Sequence, residues 1–364
     1  MLPFGIVAWL AVFTVSAAVV LLAGVRLLDA TEVIDRQLQL GSALGGAILL
    51  AVTTNLPEIA IMVSAGLKGN IGVITGNLLG GVAIQTLLLA LFDSRIKQLP
   101  PLTCRASSSN LALEGLLVLM VLNICIMGIE LPASLILGRI TPASLLITLF
   151  WMAGLWILGK MRLTGSGAAG KIGLDKDSFA ALPVGQSGQE GNDSGNEAEG
   201  ESADEGTSRP SPEVWRKFAG AAVVTLMAGA ALEWSGEAIA KEIHMDGVLF
   251  GATFLAFASA LPEISTGLRA IRKGDYELAV SDIFGGNAFL PVLFLPATII
   301  TGAAVLPSAG KTDIYLAALA GAMTCVYLAG LVTRSEYRIL GVGIDSVIAV
   351  ALYLTGMAGL FMIS

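Results

Sequence analysis

The chain has 364 residues, 55% of them hydrophobic and only 13% charged, with a mean hydropathy of +0.80. Soluble domains carry about 25% charged residues, so this composition excludes a soluble enzyme or a nucleic-acid binder and describes a polytopic membrane protein. The net charge of −7 reflects mainly one segment, residues 186–206, which holds seven Asp/Glu and no Lys/Arg.

The hydrocarbon core of a bilayer takes about 20 apolar residues per helix. By that measure ten spans follow in chain order, near residues 5–26, 38–66, 71–92, 111–130, 141–159, 216–236, 247–270, 277–301, 313–333 and 340–362. The first lacks a basic leader and reads as a span, not a cleaved signal. Residues 160–214 are rich in Gly, Ser, Glu and Asp and too poor in large apolar side chains to fold alone. They are expected to form a disordered linker between two five-helix units, residues 1–159 and 215–364. Its carboxylates show no EF-hand spacing. Cys104, Cys125 and Cys325 suggest neither a disulfide framework nor a thiolate metal site.

Counted on alternate sides of the spans, seventeen of the 21 lysines and arginines fall on the side that includes the linker. The positive-inside rule makes that side cytoplasmic and puts both termini outside. Five spans per half is an odd number, so the second half enters the bilayer with opposite polarity. The expected fold is all-α, ten transmembrane helices in a 5+5 inverted repeat.

The halves also share sequence. Thr53-Thr54-Asn55-Leu56-Pro57-Glu58-Ile59 corresponds to Ala258-Ser259-Ala260-Leu261-Pro262-Glu263-Ile264, position 58 matching position 263 at an offset of 205. Without a gap, Ala51 pairs with Ala256, Lys68-Gly69 with Lys273-Gly274, Asn77 with Asp282, and Gly80-Gly81 with Gly285-Gly286. Each copy puts a proline and a carboxylate inside a span, which predicts broken second and seventh helices. Carbonyls freed at such a break are tolerated at membrane depth only where they face protein or a wet cavity, and they suit a hard cation. Glu58, Glu263, Thr53, Thr54, Asn55 and Ser259 supply further oxygens. Counting by four along the next helix places Asn77, Gly81 and Gln85 on one face, with Asp282, Gly286 and Leu290 on its counterpart. Packing explains the glycines, but Asn77, Gln85 and Asp282 belong in a cavity, since facing lipid would be costly.

Both motifs resemble the repeats of the sodium/calcium exchanger family, within the cation/calcium antiporter superfamily, whose pattern is a broken helix bearing Leu-Pro-Glu followed by a helix opening Gly-Asn-x-x-Gly-Ser. The match spans about 40 residues in each half and fits a divergent prokaryotic-type member, in a bacterial or archaeal plasma membrane. The resemblance implies cation ligation by Glu58, Glu263, Thr54 and Ser259. The chain departs from the pattern at Gly81 and Gly286, where the family has serine, and at Gln85 and Leu290, where it has Asn or Asp. Fewer ions bound per cycle, with protons in place of sodium, is the corresponding expectation.

Two neighbouring buried carboxylates need a positive species between them. Calcium, sodium or protons meet that need. The expected function is therefore antiport of calcium, or a similar divalent cation, against sodium or protons by alternating access, with inorganic cations and the lipid bilayer as partners and no cofactor or enzymatic reaction. No Walker-type motif is present. A cation channel, or an antiporter for potassium, manganese or magnesium, is the alternative.

Overall fold

The computed structural model describes residues 4–38, 44–97, 100–106, 108–172 and 211–364, and it is built almost wholly of helices. In lipid a backbone group without an internal partner costs several kcal/mol, so apolar segments of this length fold as helices. The first half comprises α1 (Phe4–Leu38), α2 (Leu44–Thr54), α3 (Leu56–Leu67), α4 (Ile71–Ser94), the single turn α5 (Leu102–Arg105), α6 (Ser109–Ile129) and α7 (Pro142–Ile172). The second opens with α8 (Pro212–Glu242), followed by α9 (Gly247–Phe250), a π-helical turn (Gly251–Leu255), α10 (Ala256–Ser259) and α11 (Leu261–Lys273). It continues with α12 (Tyr276–Phe289), a 3-10 turn (Leu290–Leu293), α13 (Phe294–Thr301), α14 (Lys311–Thr333) and α15 (Ile344–Ile363). Among the described residues eight helices are long and apolar enough to cross a membrane, and two bent pairs bring the number to ten.

Three boundaries differ from the sequence expectation, the first being that of α1, which continues to Leu38 instead of ending near residue 26. Helical backbone continues in α7 to Ile172, inside the stretch assigned to the linker, because extending a formed helix costs far less than nucleating one. The rest of that stretch, residues 173–210 with its acidic run, lies outside the described residues. The last span begins at Ile344, not near 340, because Arg338–Ile339 and Val342–Gly343 pair as a small hairpin. Its turn residues Leu340 and Gly341 have φ of 55° and 86°.

The core is centred on α4, buried along nearly its whole length by α14, α12, α3 and the helix that runs from α9 to α10. Close approach to the last of these depends on glycine. A Cβ at Gly76 or Gly80 would overlap the backbone of Val248 or Ala252. Conversely, one at Gly251 would stand 2.9 Å from the Asn77 nitrogen. Helices α1 and α8 pack along each other at the edge of the bundle. Their outward side chains, Leu22 and Met227 among them, are exposed where lipid tails would lie, as are Leu149 on α7 and Leu354 on α15.

Polar contacts gather at the two ends of the bundle. On the linker face, the Asp93 carboxylate accepts from Leu102 N (2.9 Å) and Gly343 N (2.5 Å), and Asp345 accepts from Thr103 Oγ1 (2.5 Å). Asp345 is thus buried and bonded, tying α15 to α5. On the distal face Lys68, just past α3, donates to Glu233 and Glu237 of α8, both at 2.8 Å. Glu233 is fully buried and also accepts from Ser64 Oγ at 2.7 Å.

Two stability predictions follow from this packing. Gly80→Leu should lower the detergent melting temperature sharply, because overpacking costs about 1–3 kcal/mol even without a backbone clash, whereas Gly220→Leu, with nothing nearby, should not. Lys68→Met strands the Glu233 charge. Its cost should lie at the low end of about 3–5 kcal/mol, because Lys68 keeps 34% of its side chain in solvent. Adding Glu233→Gln should recover much of that loss in the same melting assay.

Candidate cation-binding site

The two breaks have the same local cause. Helix α2 turns into α3 through 65° at Asn55, and the helix from α9 to α10 turns into α11 through 46° at Ala260. Asn55 has φ −94°, ψ 21° and Ala260 φ −80°, ψ 4°, so neither continues a regular helix. Pro57 and Pro262 fall in the first turn of the new helix, where a missing N–H does no harm. They supply no donor to the carbonyls four residues earlier, those of Thr53 and Ala258. Glu58 and Glu263 consequently sit in the first turns of α3 and α11, at the positive ends of the helix dipoles.

Small residues of the edge helices cover both breaks, and they do so crosswise. A Cβ at Gly24 of α1 would stand 2.8 Å from Pro262 Cγ, and one at Gly229 of α8 would stand 3.0 Å from the Pro57 carbonyl oxygen. Positions 24 and 229 are related by the same 205-residue offset as the prolines they touch.

Glu58 is 0% and Glu263 4% exposed. Ser259 lies beside the Glu58 carboxylate, with its hydroxyl also 3.2 Å from the Ala256 carbonyl oxygen. Glu263 is within electrostatic reach of both Glu58 and Asp282. The acids of the two broken helices are therefore neighbours. Other buried carboxylates have donors: Glu233 has Ser64 and Lys68, Asp93 has two backbone N–H groups, and Asp345 has Thr103 and Ser346. Among the described residues only Glu58 and Glu263 have both carboxylate oxygens buried with no protein donor.

Neutral groups complete the surroundings. Thr53, Thr54, Asn55 and Gln85 are all buried. Thr54 Oγ1 donates to Leu50 O (3.0 Å) and accepts from Asn55 Nδ2 (3.1 Å), and the same amide donates to Ala51 O (2.8 Å). These bonds leave Asn55 Oδ1 unpaired. Gln85 Oε1 and the Asn55 amide both crowd the bare Cα of Gly286, where a Cβ would lie 3.1 Å and 3.6 Å from them. Asp282 accepts from Thr266 Oγ1 at 3.1 Å. Asn77 is buried with both amide atoms unpaired, and its backbone rests on Gly251.

Sequence reading passed over Asn287. Its Nδ2 donates to Thr86 Oγ1 at 2.9 Å, joining α12 to α4 one residue from Gly286 and Gln85, and its Oδ1 has no partner. An asparagine in mid-span next to Gly285-Gly286 was the available signal.

No three His, Cys, Asp or Glu side chains converge among the described residues. Instead two neighbouring carboxylates lie in the first turns of α3 and α11, and the amides of Asn55 and Gln85 meet beside Gly286; oxygens of these kinds suit a hard cation, and two carboxylates would balance a divalent ion.

Comparison with known proteins accords with this chemistry. The chain is 25% identical over 280 residues to the inner membrane protein YrbG of Escherichia coli, covering 76% of this chain and 75% of that protein. Its fold is similar to the crystal structure of the H+/Ca2+ exchanger CAX, with TM-score 0.67, 16% identity and coverage of 97% of this chain and 82% of that one. It is also similar to the sodium-calcium exchanger NCX_Mj, with TM-score 0.56, 16% identity and coverage of 97% and 99%. The family model described as sodium/calcium exchanger protein matches residues 8–159 and 215–362, leaving out little beyond the linker, and the chain belongs to that family.

Proposed function

We propose that this transporter exchanges calcium, or a similar divalent cation, for sodium or protons by alternating access of one central site. The observation that carries the reading is the pair Glu58 and Glu263, each at the start of a helix that resumes after a break, with four carboxylate oxygens that no protein donor meets. Two such charges out of water are tolerable only with a positive species between them. A site that must always hold calcium, sodium or protons, and that changes its accessible side only when loaded, is an exchanger.

In this reading Glu58 and Glu263 are the charged ligands, and Thr54, Ser259, Thr53, Asn55 and Gln85 offer neutral oxygens. Pro57, Pro262, Gly81 and Gly286 shape the cavity, with Asn77 and Asp282 on its walls. The crosswise contacts of Gly24 and Gly229 with the prolines support a 5+5 inverted repeat whose halves meet at the midplane. Basic residues in the loops support a cytoplasmic linker face. Thr266, Ser281, Asp282 and Gly285 are half-buried, while Asn77, Gly76 and Gly80 are fully buried, which supports entry from the linker face.

The similar structures carry the names of both a proton-coupled and a sodium-coupled exchanger. Glycine at positions 81 and 286 and leucine at 290 leave few ligands for several sodium ions, which supports coupling to protons.

Flux in reconstituted vesicles tests the whole reading, with calcium, manganese, magnesium and potassium each set against sodium and pH gradients. Divalent uptake should follow the pH gradient without sodium, and Glu58→Gln and Glu263→Gln should each reduce it to the level of empty vesicles while leaving the melting temperature intact. Unitary currents without counter-flux would instead identify a channel. Asp282→Asn should weaken the apparent affinity several-fold for cation supplied from the linker face and leave the distal face unchanged, because a wall carboxylate raises local cation concentration only on its own side.

A further inference from the structure

The hairpin that leads into α15 is strained at an exposed residue. Its strands, Arg338–Ile339 and Val342–Gly343, are joined by two residues, Leu340 and Gly341, with φ of 55° and 86°. A two-residue turn with both φ positive favours Asn-Gly, because asparagine tolerates the left-handed region and a bulky side chain does not. Here leucine stands in the asparagine place, 96% exposed, so no packing within the chain offsets its strain. A leucine in such a position calls for a contact outside the chain.

Its neighbours present the same kind of surface. Side chains alternate along a strand, and Arg338 is turned to the protein, where its Nη2 donates to the carbonyls of Ile96 (2.6 Å) and Asp93 (3.4 Å) at the end of α4. Tyr337 and Ile339, on the other side, are 79% and 45% exposed. The spans on either side of the hairpin show exposed apolar side chains right up to it, Val332 on α14 and Ile344 on α15. Side chains of that kind lie against lipid, and the hairpin follows at the level where the spans leave it. The charges there suit the same partner. Arg334 beside the hairpin, and Arg95 and Lys97 on either side of Ile96, are exposed, while Glu336 is the single acid of residues 334–343. A small apolar tip ringed by tyrosine and cations has the composition of the headgroup level of a membrane.

We propose that this hairpin docks into the headgroup layer of the bilayer on the linker face, with Leu340 below the phosphates, Tyr337 at their level, and Arg334, Arg95 and Lys97 facing anionic headgroups. A second copy of the chain could cover an apolar tip, but it would not call for three cations around it. The docking has a mechanical consequence. Asp93 Oδ2 accepts from Gly343 N at 2.5 Å, and with the Arg338 bonds this fastens the hairpin to the end of α4. The helix that carries Gln85 thereby has its depth in the membrane set by a lipid contact outside the cation site, whichever ions are exchanged there.

The test uses the full-length protein in lipid nanodiscs, which leave both faces open to solvent, made with phosphatidylglycerol brominated on its acyl chains near the headgroup. Leu340→Trp adds one indole at the tip, read as the difference from the unaltered protein. Its emission should lie to the blue of an indole in water, be quenched by the brominated lipid and be shielded from acrylamide. Tyr337→Trp should behave likewise and serves if Leu340→Trp does not fold. Water-like emission quenched by acrylamide would overturn the proposal. So would a blue shift without lipid quenching, which would assign the tip to a protein partner. Because tryptophan itself favours interfaces, a second measurement uses a polar side chain. Leu340→Asn relieves the turn, so its melting temperature would rise if the turn were the whole role of this position. In phosphatidylglycerol nanodiscs it should fall instead, and an unchanged or higher value would overturn the docking.

Discussion

Taking a carboxylate out of water costs several kcal/mol even after a protein has relaxed around it, and this fold does so twice at neighbouring places without a protein cation at either. Elsewhere the chain solves the same problem by ordinary means. Glu233, as deeply buried, has a lysine and a serine, and Asp93 is held by backbone N–H groups. What Glu58 and Glu263 do receive is the positive end of a new helix, because a proline forces each span to restart just before the acid. That compensation is partial: a helix dipole contributes roughly half a unit charge at its end, too little to balance a carboxylate by itself.

The same prolines serve the packing around the site. A glycine from an edge helix lies against each break, Gly24 against the Pro262 ring and Gly229 against the Pro57 carbonyl. The pair formed by α1 and α8 rests on both breaks through these glycines. Its firmest described attachments to the broken helices are polar and lie at opposite ends: Lys68 with Glu233 and Glu237 on the distal face, and Arg269 with Asp29 at 2.7 Å on the linker face. The first includes a fully buried partner, while the second is exposed on both sides and is weak in solvent. The distal end of the pair is therefore the better fastened, in keeping with the half-buried residues near Asp282 and the tight packing near Asn77.

Much of this was legible in the sequence because membrane physics narrows the choices. Ten spans follow from apolar length alone, and the two broken helices follow from Pro57 and Pro262 inside them. The convergence of Glu58 with Glu263 was legible only through the duplication, since no local pattern says that residues 205 apart meet. Boundaries near the water were harder. The hairpin before α15 turns on Leu340 and Gly341 with positive φ, and the extension of α7 depends on helix propagation past the bilayer, neither of which apolar length reports. Within the site, Gln85 and Leu290 stood out as odd residues, and each was found against the opposite glycine. Asn287 was missed because its match in the first half, Val82, carries no polar signal.

That mismatch bears on how a duplicated transporter distributes its ligands. If two copies of a motif line one cavity, a neutral donor needs to be kept by only one of them, because an oxygen serves the cation equally from either side. The first copy holds Thr53, Asn55 and Gln85, where the second has Ala258, Ala260 and Leu290. The second copy in turn holds Asp282 where the first has Asn77. The glutamates are under a different constraint. A single buried carboxylate balances one unit of charge, so a site that exchanges a divalent cation needs both, and each must come at a helix start to be tolerated. A neutral donor is free to drift to one side, whereas paired charges must stay, and the Pro-Glu step is the part of the motif that both halves retain.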